Sequence, residues 1–389
     1  MTSLSWRLEH QLDHTTYAAL QSLWEGDAER NPFAAPAFLR AMSAAMVRGD
    51  VPVWALGTSA HGSLAAAWPL RLDRGRAIRF LPFDYSDQRT CLALGALDQA
   101  SVAEGLALAL RGTHAASLAL TNVPAWGATL GAVQAALRSM RWAHRAFPAW
   151  PCPVLRVPPG DEAGRAMRAA MDQHKRIRGY ANGLRREPGF AFEVAEDAQE
   201  LETWHREFCD AHERRWDGTD TPSVYRSAAA RELFLAALAA WHTDHVLVRF
   251  TIRVDAGPLA FVAALRAGTR LVYHHVATSP AGERHRAGHV LIRLIGIWMS
   301  ERNFDTLDFG AGGEEYKTRY ATGNDALWRV FAAPHRISKT YVRGLVEERI
   351  RRSPALQQGW DEWVNRRVRG ALRRRLARNA PHTVSGKTT

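Results

Sequence analysis

Residues 308–323 read DFGAGGEEYKTRYATG, a glycine-rich turn that ends in two glutamates, a tyrosine and a lysine. Each polar side chain in it has a chemistry. Lys317 can hold an anion or steady the negative charge that develops on a carbonyl oxygen during acyl transfer. Tyr316, a phenol that keeps its proton at neutral pH, can donate to a leaving thiolate. Glu314 or Glu315 can take a proton from an incoming amine, directly or through water. Asp308 ends the strand that leads into the turn. A solvated Glu-Glu-Tyr-Lys helix start accounts for the same spacing equally well.

A second stretch, PAGERHRAGHV at 280–290, lies one strand earlier. Pro280 ends a strand, Gly282 and Gly288 permit close backbone approach, and Arg284 and Arg286 bring positive charge to the start of a helix. A helix N-terminus with free N–H groups and basic neighbours suits a pyrophosphate, with Arg284, Arg286, Ala287, Gly288 and His289 as the candidate contacts. An ordinary strand-to-helix turn with surface arginines is the competing reading. Lys175 and Arg178 on a basic helix, and Arg214, Arg215 and Trp216 beyond the end of another, are candidate substrate contacts. His274 and His275 are adjacent on a strand. Only one of them can face a cleft, and His275 is the candidate base. His285 and His289 stand four apart on a predicted helix, but neither pair comes with the glutamate or cysteines of a metal site, so no metal is expected.

These loops need strands and helices to hold them. VWALGTSAHGSLAAAWPLRL (53–72) and VRFTIRVDAGPLAFVAALRA (248–267) each read as strand, glycine turn, strand, and Gly62 aligns with Gly257. In each half a helix (Ser101 to Arg111, and Arg286 to Arg302) then leads to a strand (115–123, and 304–310). The recurrence predicts two copies of one mixed α/β unit. A proline-rich join, PAWPCPVLRVPPGDE at 148–162, reads as a linker or crossover, because proline disfavours both helix and central strand. Asp161 to Arg186, Ala198 to Arg215 and 226–242 read as helical.

The chain has 389 residues, 47% of them hydrophobic, enough for two cores. No run of about 18 uncharged apolar residues exists, so no membrane span is expected. The N-terminal MTSLSWRLEHQLDH lacks a basic start before an apolar stretch, so no secretory signal is expected. Cys91, Cys152 and Cys209 are far apart and without CxxC spacing, which points to a reducing cytoplasm. Most of the net charge of +12 lies beyond His335. Within that tail, 360–380 is a basic amphipathic candidate for peripheral contact with an anionic inner membrane.

The stretches HKRIRGYANGLRRE, HERRW, VRFTIRVDAGPLAFVAAL, LVYHHVATSP and DFGAGGEEYKTRYATG resemble the acyltransferase domain of the CelD/BcsL-type family, a branch of the GNAT superfamily. They are also similar to the FemABX aminoacyltransferases. The resemblance covers about 165–333, with Lys317 matching the family's Tyr/Phe-Lys lysine and Gly313 standing where the family often has an acid. NPFAAPAFLRA (31–41) resembles the family's opening element. The resemblance implies two tandem GNAT-like mixed-sheet domains, 1–150 and 161–335, followed by a basic helical tail, 336–389. It implies transfer of an acyl group from acyl-CoA to an amine, less readily a hydroxyl, of a cell-envelope or exopolysaccharide precursor. The alternatives are a FemABX-like enzyme that uses aminoacyl-tRNA, with the basic helix and tail carrying RNA, and a non-catalytic scaffold of polysaccharide synthesis.

Overall fold

The computed structural model of the chain describes residues 4–356 apart from 47, 82–84, 96, 220–221 and 354. In chain order the first strands are β1 (Ser5–Glu9), β2 (Val51–Thr58), β3 (Leu64–Leu72), β4 (Ala77–Phe80), β5 (Leu92–Ala93), β6 (Ser117–Pro124) and β7 (Ala143–Arg156). They continue with β8 (Ala191–Ala195), β9 (Leu247–Val254), β10 (Gly257–Ala267), β11 (Arg270–Thr278), β12 (Thr306–Asp308) and β13 (Gly323–Ala333). All belong to one mixed sheet, ordered β1-β2-β3-β4-β6-β13-β7-β12-β11-β10-β9-β8, with β5 on β3.

The repeated pattern is real structure. β2–β3 and β9–β10 are antiparallel hairpins, and their turn glycines Gly62 and Gly257 both have positive φ, 83° and 117°. That conformation is cheap only without a Cβ. Each hairpin precedes a parallel pair: β4–β6, crossed by the helix Gln99–Gly112, and β11–β12, crossed by the helix Ala287–Ser300. Both crossover helices are apolar on the face that meets the sheet, with Leu106 and Leu110 buried in one and Leu291 and Ile295 in the other.

The join at 148–162 is corrected: its first part belongs to β7, a strand inside the sheet. Pro148, Pro151 and Pro153 lie opposite Trp328, Ala326 and Asn324, and a bulge keeps the three in one phase. The carbonyls of Pro151 and Pro153 accept from the N–H groups of Gly312 and Phe309, on the side away from β13. Proline's missing N–H would point to that same side, so the ladder to β13 loses nothing. The single predicted helix 161–186 is two, Ala163–Asp172 and Lys175–Leu184, broken at His174.

The two halves are welded together. β13, which closes the C-terminal half in sequence, inserts between β6 and β7. One buried cluster takes Trp24, Phe33 and Phe38 from the first half and Phe208, Phe234 and Trp241 from the second. Trp241 stacks on Phe38 at 4.8 Å and its indole N–H donates to the Pro32 carbonyl. A second core packs the helices 163–172, 175–184 and 287–300 on the other face of β9–β12. The helix Lys339–Arg352 packs over β7 and β13, with buried Glu347 and Glu348 turned to Arg329 and Arg145. The predicted 360–380 segment lies outside the described residues.

Candidate active site

β11 and β12 pair only over Arg270–Val272 and Thr306–Asp308. β11 continues to Thr278 while the chain leaves β12 at Asp308, so the strands open like a fork. A cavity of about 280 Å³ occupies the opening, lined by Tyr273, Thr278, Gly282, Arg286, Gly288 and Tyr316 among others. Two short turns build its charged wall. Ser279 caps the helix Pro280–Arg284 by accepting from the Gly282 N–H at 3.1 Å. Gly282 is required there, since a Cβ would run into the Leu259 carbonyl oxygen. Arg286, at φ 54°, then reverses the chain so that the helix Ala287–Ser300 begins at the cavity with no side-chain cap. The His289 and Val290 amides both donate to the Arg286 carbonyl, at 3.0 and 3.2 Å, so within the first turn the Ala287 and Gly288 amides are the ones without an intrahelical acceptor. Arg286, Gly288 and His289 line the cavity, and the Ala287 side chain is buried beneath. Arg284 does not line it. His285 closes the shorter helix and His289 belongs to the longer one, so they do not share a helical face.

The opposite wall is the 308–317 loop. Asp308 is fully buried, and its carboxylate accepts from Gln88 Nε2 at 2.7 Å, Arg270 at 2.9 Å, Cys152 Sγ at 3.1 Å and the Gly310 N–H at 2.8 Å. With four donors it fastens the loop to both halves and leaves no lone pair directed at the cavity. Lys317 is buried; its ammonium donates to the Ala311 carbonyl at 2.8 Å and pairs with Glu314 at 3.0 Å. It therefore clamps its own loop. Glu315 is exposed and pairs with Arg319. Of the Glu-Glu-Tyr-Lys cluster, Tyr316 alone lines the cavity. Burial, reinforced by Glu314 and Asp87 and opposed by Arg215, pushes its phenol well above the usual range.

Arg215 also lines the cavity and forms a 2.7 Å ion pair with Glu283. It lies in the last turn of the helix Leu201–Trp216 with Arg214 and Trp216, which were expected beyond the helix end. Arg214 and Arg178 are exposed and away from the cavity, and Lys175 lies in an adjoining groove. Glu283 is the lining carboxylate that sequence reading passed over, because an acid in a surface turn carries no signal of its own.

The adjacent histidines require a correction. The β10–β11 register shifts between Ala263 and Ala264, so Ala263 pairs with His275 and Ala264 with Tyr273, leaving His274 as an extra residue. A bulge cancels strand alternation locally. Both imidazoles therefore meet Trp241, with their own centroids 4.1 Å apart. His275 is outside the cavity lining, among Tyr85, Phe234 and Trp241. Burial, then neighbouring His274, lowers its pKa well below the ordinary value, so it is neutral. His274 faces acceptors with both nitrogens: the Asp87 carboxylate at 3.2 Å from Nδ1 and the Tyr85 carbonyl at 3.0 Å from Nε2. Each ring nitrogen of His274 thus has a partner within hydrogen-bond distance. Burial alone would raise the Asp87 carboxyl, but His274, Lys317 and the Ala311 N–H together hold it below the usual carboxylate range. The segment Tyr85–Thr90 thus crosses from the N-terminal half to brace the C-terminal site, a contact between distant residues that sequence reading missed.

Residues 171–318 match the family profile of an acetyltransferase (GNAT) domain. The match falls on the forked strands and the helix start that form the cavity. No curated protein sequence matches the chain significantly. Among solved structures, FemX aligns at 10% identity over 88% of this chain and 100% of its own, with a TM-score of 0.55. L-PGS from Bacillus licheniformis aligns at 12% identity over 86% of this chain and 97% of its own, with a TM-score of 0.53. The C-terminal domain of a candidate lysylphosphatidylglycerol synthetase from Agrobacterium fabrum aligns at 11% identity over 82% and 91%, also at 0.53. At such identities the likeness is one of fold, and it extends over both halves. The chain is a mixed α/β protein with a GNAT-type acyltransferase fold. Among the described residues no helix is long and apolar enough to cross a membrane, and no group of three or more His, Cys, Asp or Glu side chains is placed to hold a metal.

Proposed function

We propose that the chain is an N-acyltransferase of the CelD/BcsL-type branch. It would move an acyl group from acyl-CoA to an amine, less readily a hydroxyl, of a cell-envelope or exopolysaccharide precursor. The observation that carries this is the cavity in the strand fork, which places an uncapped helix start and Arg286 at one wall and Tyr316 at another. The donor pyrophosphate would lie on the Ala287 and Gly288 amides beside Arg286, and the thioester would run into the fork. The acceptor nitrogen attacks the thioester carbonyl carbon, the C–S bond breaks, and the sulfur leaves as a thiolate. Tyr316 is held too high to surrender its proton outright, so its part is to donate a hydrogen bond to the leaving sulfur. Glu314, exposed beside the cavity and paired with Lys317, would receive the acceptor's proton through water.

The Tyr85–Thr90 segment would form the acceptor side of the groove between the halves. The 360–380 segment would rest on an anionic membrane surface on the cytoplasmic side. Calorimetric titration with acetyl-CoA and longer acyl-CoAs, run beside Arg286→Ala, tests the donor. Saturable binding that weakens in the variant supports the reading, and no binding to any of them rejects it. The second reading is an aminoacyl-tRNA donor, which the sequence resemblance to the FemABX aminoacyltransferases implies. Its signature is RNA binding that falls steeply with salt.

A further inference from the structure

Beside the cavity, and sharing Arg286 and His289 with it, lies a groove of about 480 Å³. Three elements meet there: the start of the helix Lys175–Leu184, the start of the helix Ala287–Ser300, and Arg319 just past the short helix Glu315–Thr318. Its charged lining is Lys175, Arg176, Arg286 and Arg319, with His174 and His289 between them and no carboxylate among the lining residues.

The cations are weakly neutralised. The side chains of Lys175 and Arg286 have no hydrogen-bond or ion-pair partner among the described residues. Arg176 donates to the Tyr180 hydroxyl at 2.7 Å, a neutral partner. Arg319 pairs only with the exposed Glu315. Both histidines register the imbalance: burial first, then Arg319 and Arg293, depress His174, while burial, then Arg319 and Arg286, depress His289. Four cations converging on a recess at this spacing repel one another unless an anion joins them. The His289 imidazole is fixed toward the Tyr320 hydroxyl at 3.1 Å, so this part of the floor is held in place.

Resting on the acyl-CoA reading above, we propose that this groove holds a second phosphate of the donor, separate from the pyrophosphate at Ala287–Gly288, and so selects a nucleotide carrier with a phosphate monoester at its far end. Arg286, which lines both spaces, would bridge the two anionic groups. Lys175, Arg176 and Arg319 would surround the monoester, each able to give it a charge-assisted hydrogen bond. The pocket then reads the carrier at the end remote from the reacting thioester, which separates carrier choice from acyl choice.

The test is calorimetric titration of the full chain with CoA and with 3′-dephospho-CoA, for the wild type and Lys175→Ala. A single charge-assisted contact to phosphate is expected to favour CoA by about tenfold or more. In Lys175→Ala that ratio is expected to fall toward one through weaker CoA binding, with 3′-dephospho-CoA binding unchanged. Lys175 is exposed, so the variant is expected to fold normally. Equal binding of the two probes by the wild type overturns the groove assignment and leaves the donor reading standing. A preference that persists unchanged in both Lys175→Ala and Arg176→Ala also overturns it. Binding of neither probe overturns the donor reading and this assignment with it. In that case saturable, salt-sensitive binding of a short RNA ending in CCA would give the groove to RNA.

Discussion

Asp308→Ala separates a structural from a chemical role at the head of the glycine-rich loop. The wild-type carboxylate is fully buried and satisfies Gln88, Arg270, Cys152 and the Gly310 N–H. Removing it leaves the Arg270 side chain, itself only 19% exposed, with Asp325 at 3.7 Å as its remaining direct ion-pair partner among the described residues. Breaking one partner of a buried pair typically costs about 3–5 kcal/mol, because the other charge stays behind without compensation. With a urea m-value of about 3 kcal/mol/M, the unfolding midpoint is expected to drop by roughly 1 M or more. Asp308→Asn keeps the shape and one acceptor oxygen, so roughly 1.5–3 kcal/mol is expected, the range for hydrogen bonds to charged groups. Urea denaturation followed by tryptophan fluorescence reads both, and acyl transfer under conditions where each variant is folded reads the chemistry. The Asn variant is expected to keep turnover within about tenfold of wild type, as suits a group that aims no lone pair at the cavity. A loss of a thousandfold with an unchanged midpoint would refute the argument and make Asp308 a participant in the reaction.

Tyr316→Phe removes the proposed hydrogen-bond donor to the leaving sulfur while leaving the cavity's shape. The turnover number is expected to fall by about 10- to 100-fold with donor affinity unchanged by calorimetry. Because burial holds the phenol far above its ordinary value, no activity limb from Tyr316 is expected in a wild-type pH profile up to pH 10. Gly282→Ala puts a Cβ onto the Leu259 carbonyl, so the 280–288 turn must move. Donor binding is expected to be lost, and stability to fall by about 1–3 kcal/mol, measured by calorimetry and denaturation. Glu29 is a pH test with a defined sign. Burial, then Asp27, raises its pKa from 4.5 to about 7, against the pull of Arg270. The folded state thus binds the extra proton between these values, and wild-type stability is highest below about pH 4.5 on this account and falls as pH rises through 7. Glu29→Gln is expected to remove this dependence and to be more stable than wild type at pH 8, by on the order of 1 kcal/mol. Equal stability of the two proteins at pH 8 would contradict it.

Much of the C-terminal half was legible because its signals are local. Gly62 and Gly257 mark hairpin turns through a backbone requirement that one residue carries alone. The strand–helix–strand order around 271–308 follows from apolar runs and Pro280, and the basic turn at 280–290 is visible in the composition. What a side chain faces is a different matter, since it depends on register and on neighbours distant in the chain. One bulge turned His274 and His275 to the same side, which alternation forbids. The prolines of 148–153 sit in a central strand because their phase points the missing N–H groups away from β13, and nothing in the sequence encodes that phase. Lys317 matched the family's lysine, yet the fold turns its ammonium back on the Ala311 carbonyl.

The Asp87–His274 pair and the groove of Lys175, Arg286 and Arg319 join residues more than a hundred positions apart, and charge runs in sequence do not say which cations converge. The sequence by itself determined the elements and the basic, glycine-containing turn between them, because propensity, turn chemistry and periodicity act over a few residues. Tertiary structure alone decided which of those polar groups reach the cavity and which are spent holding it open, because strand register and long-range packing set where each one points.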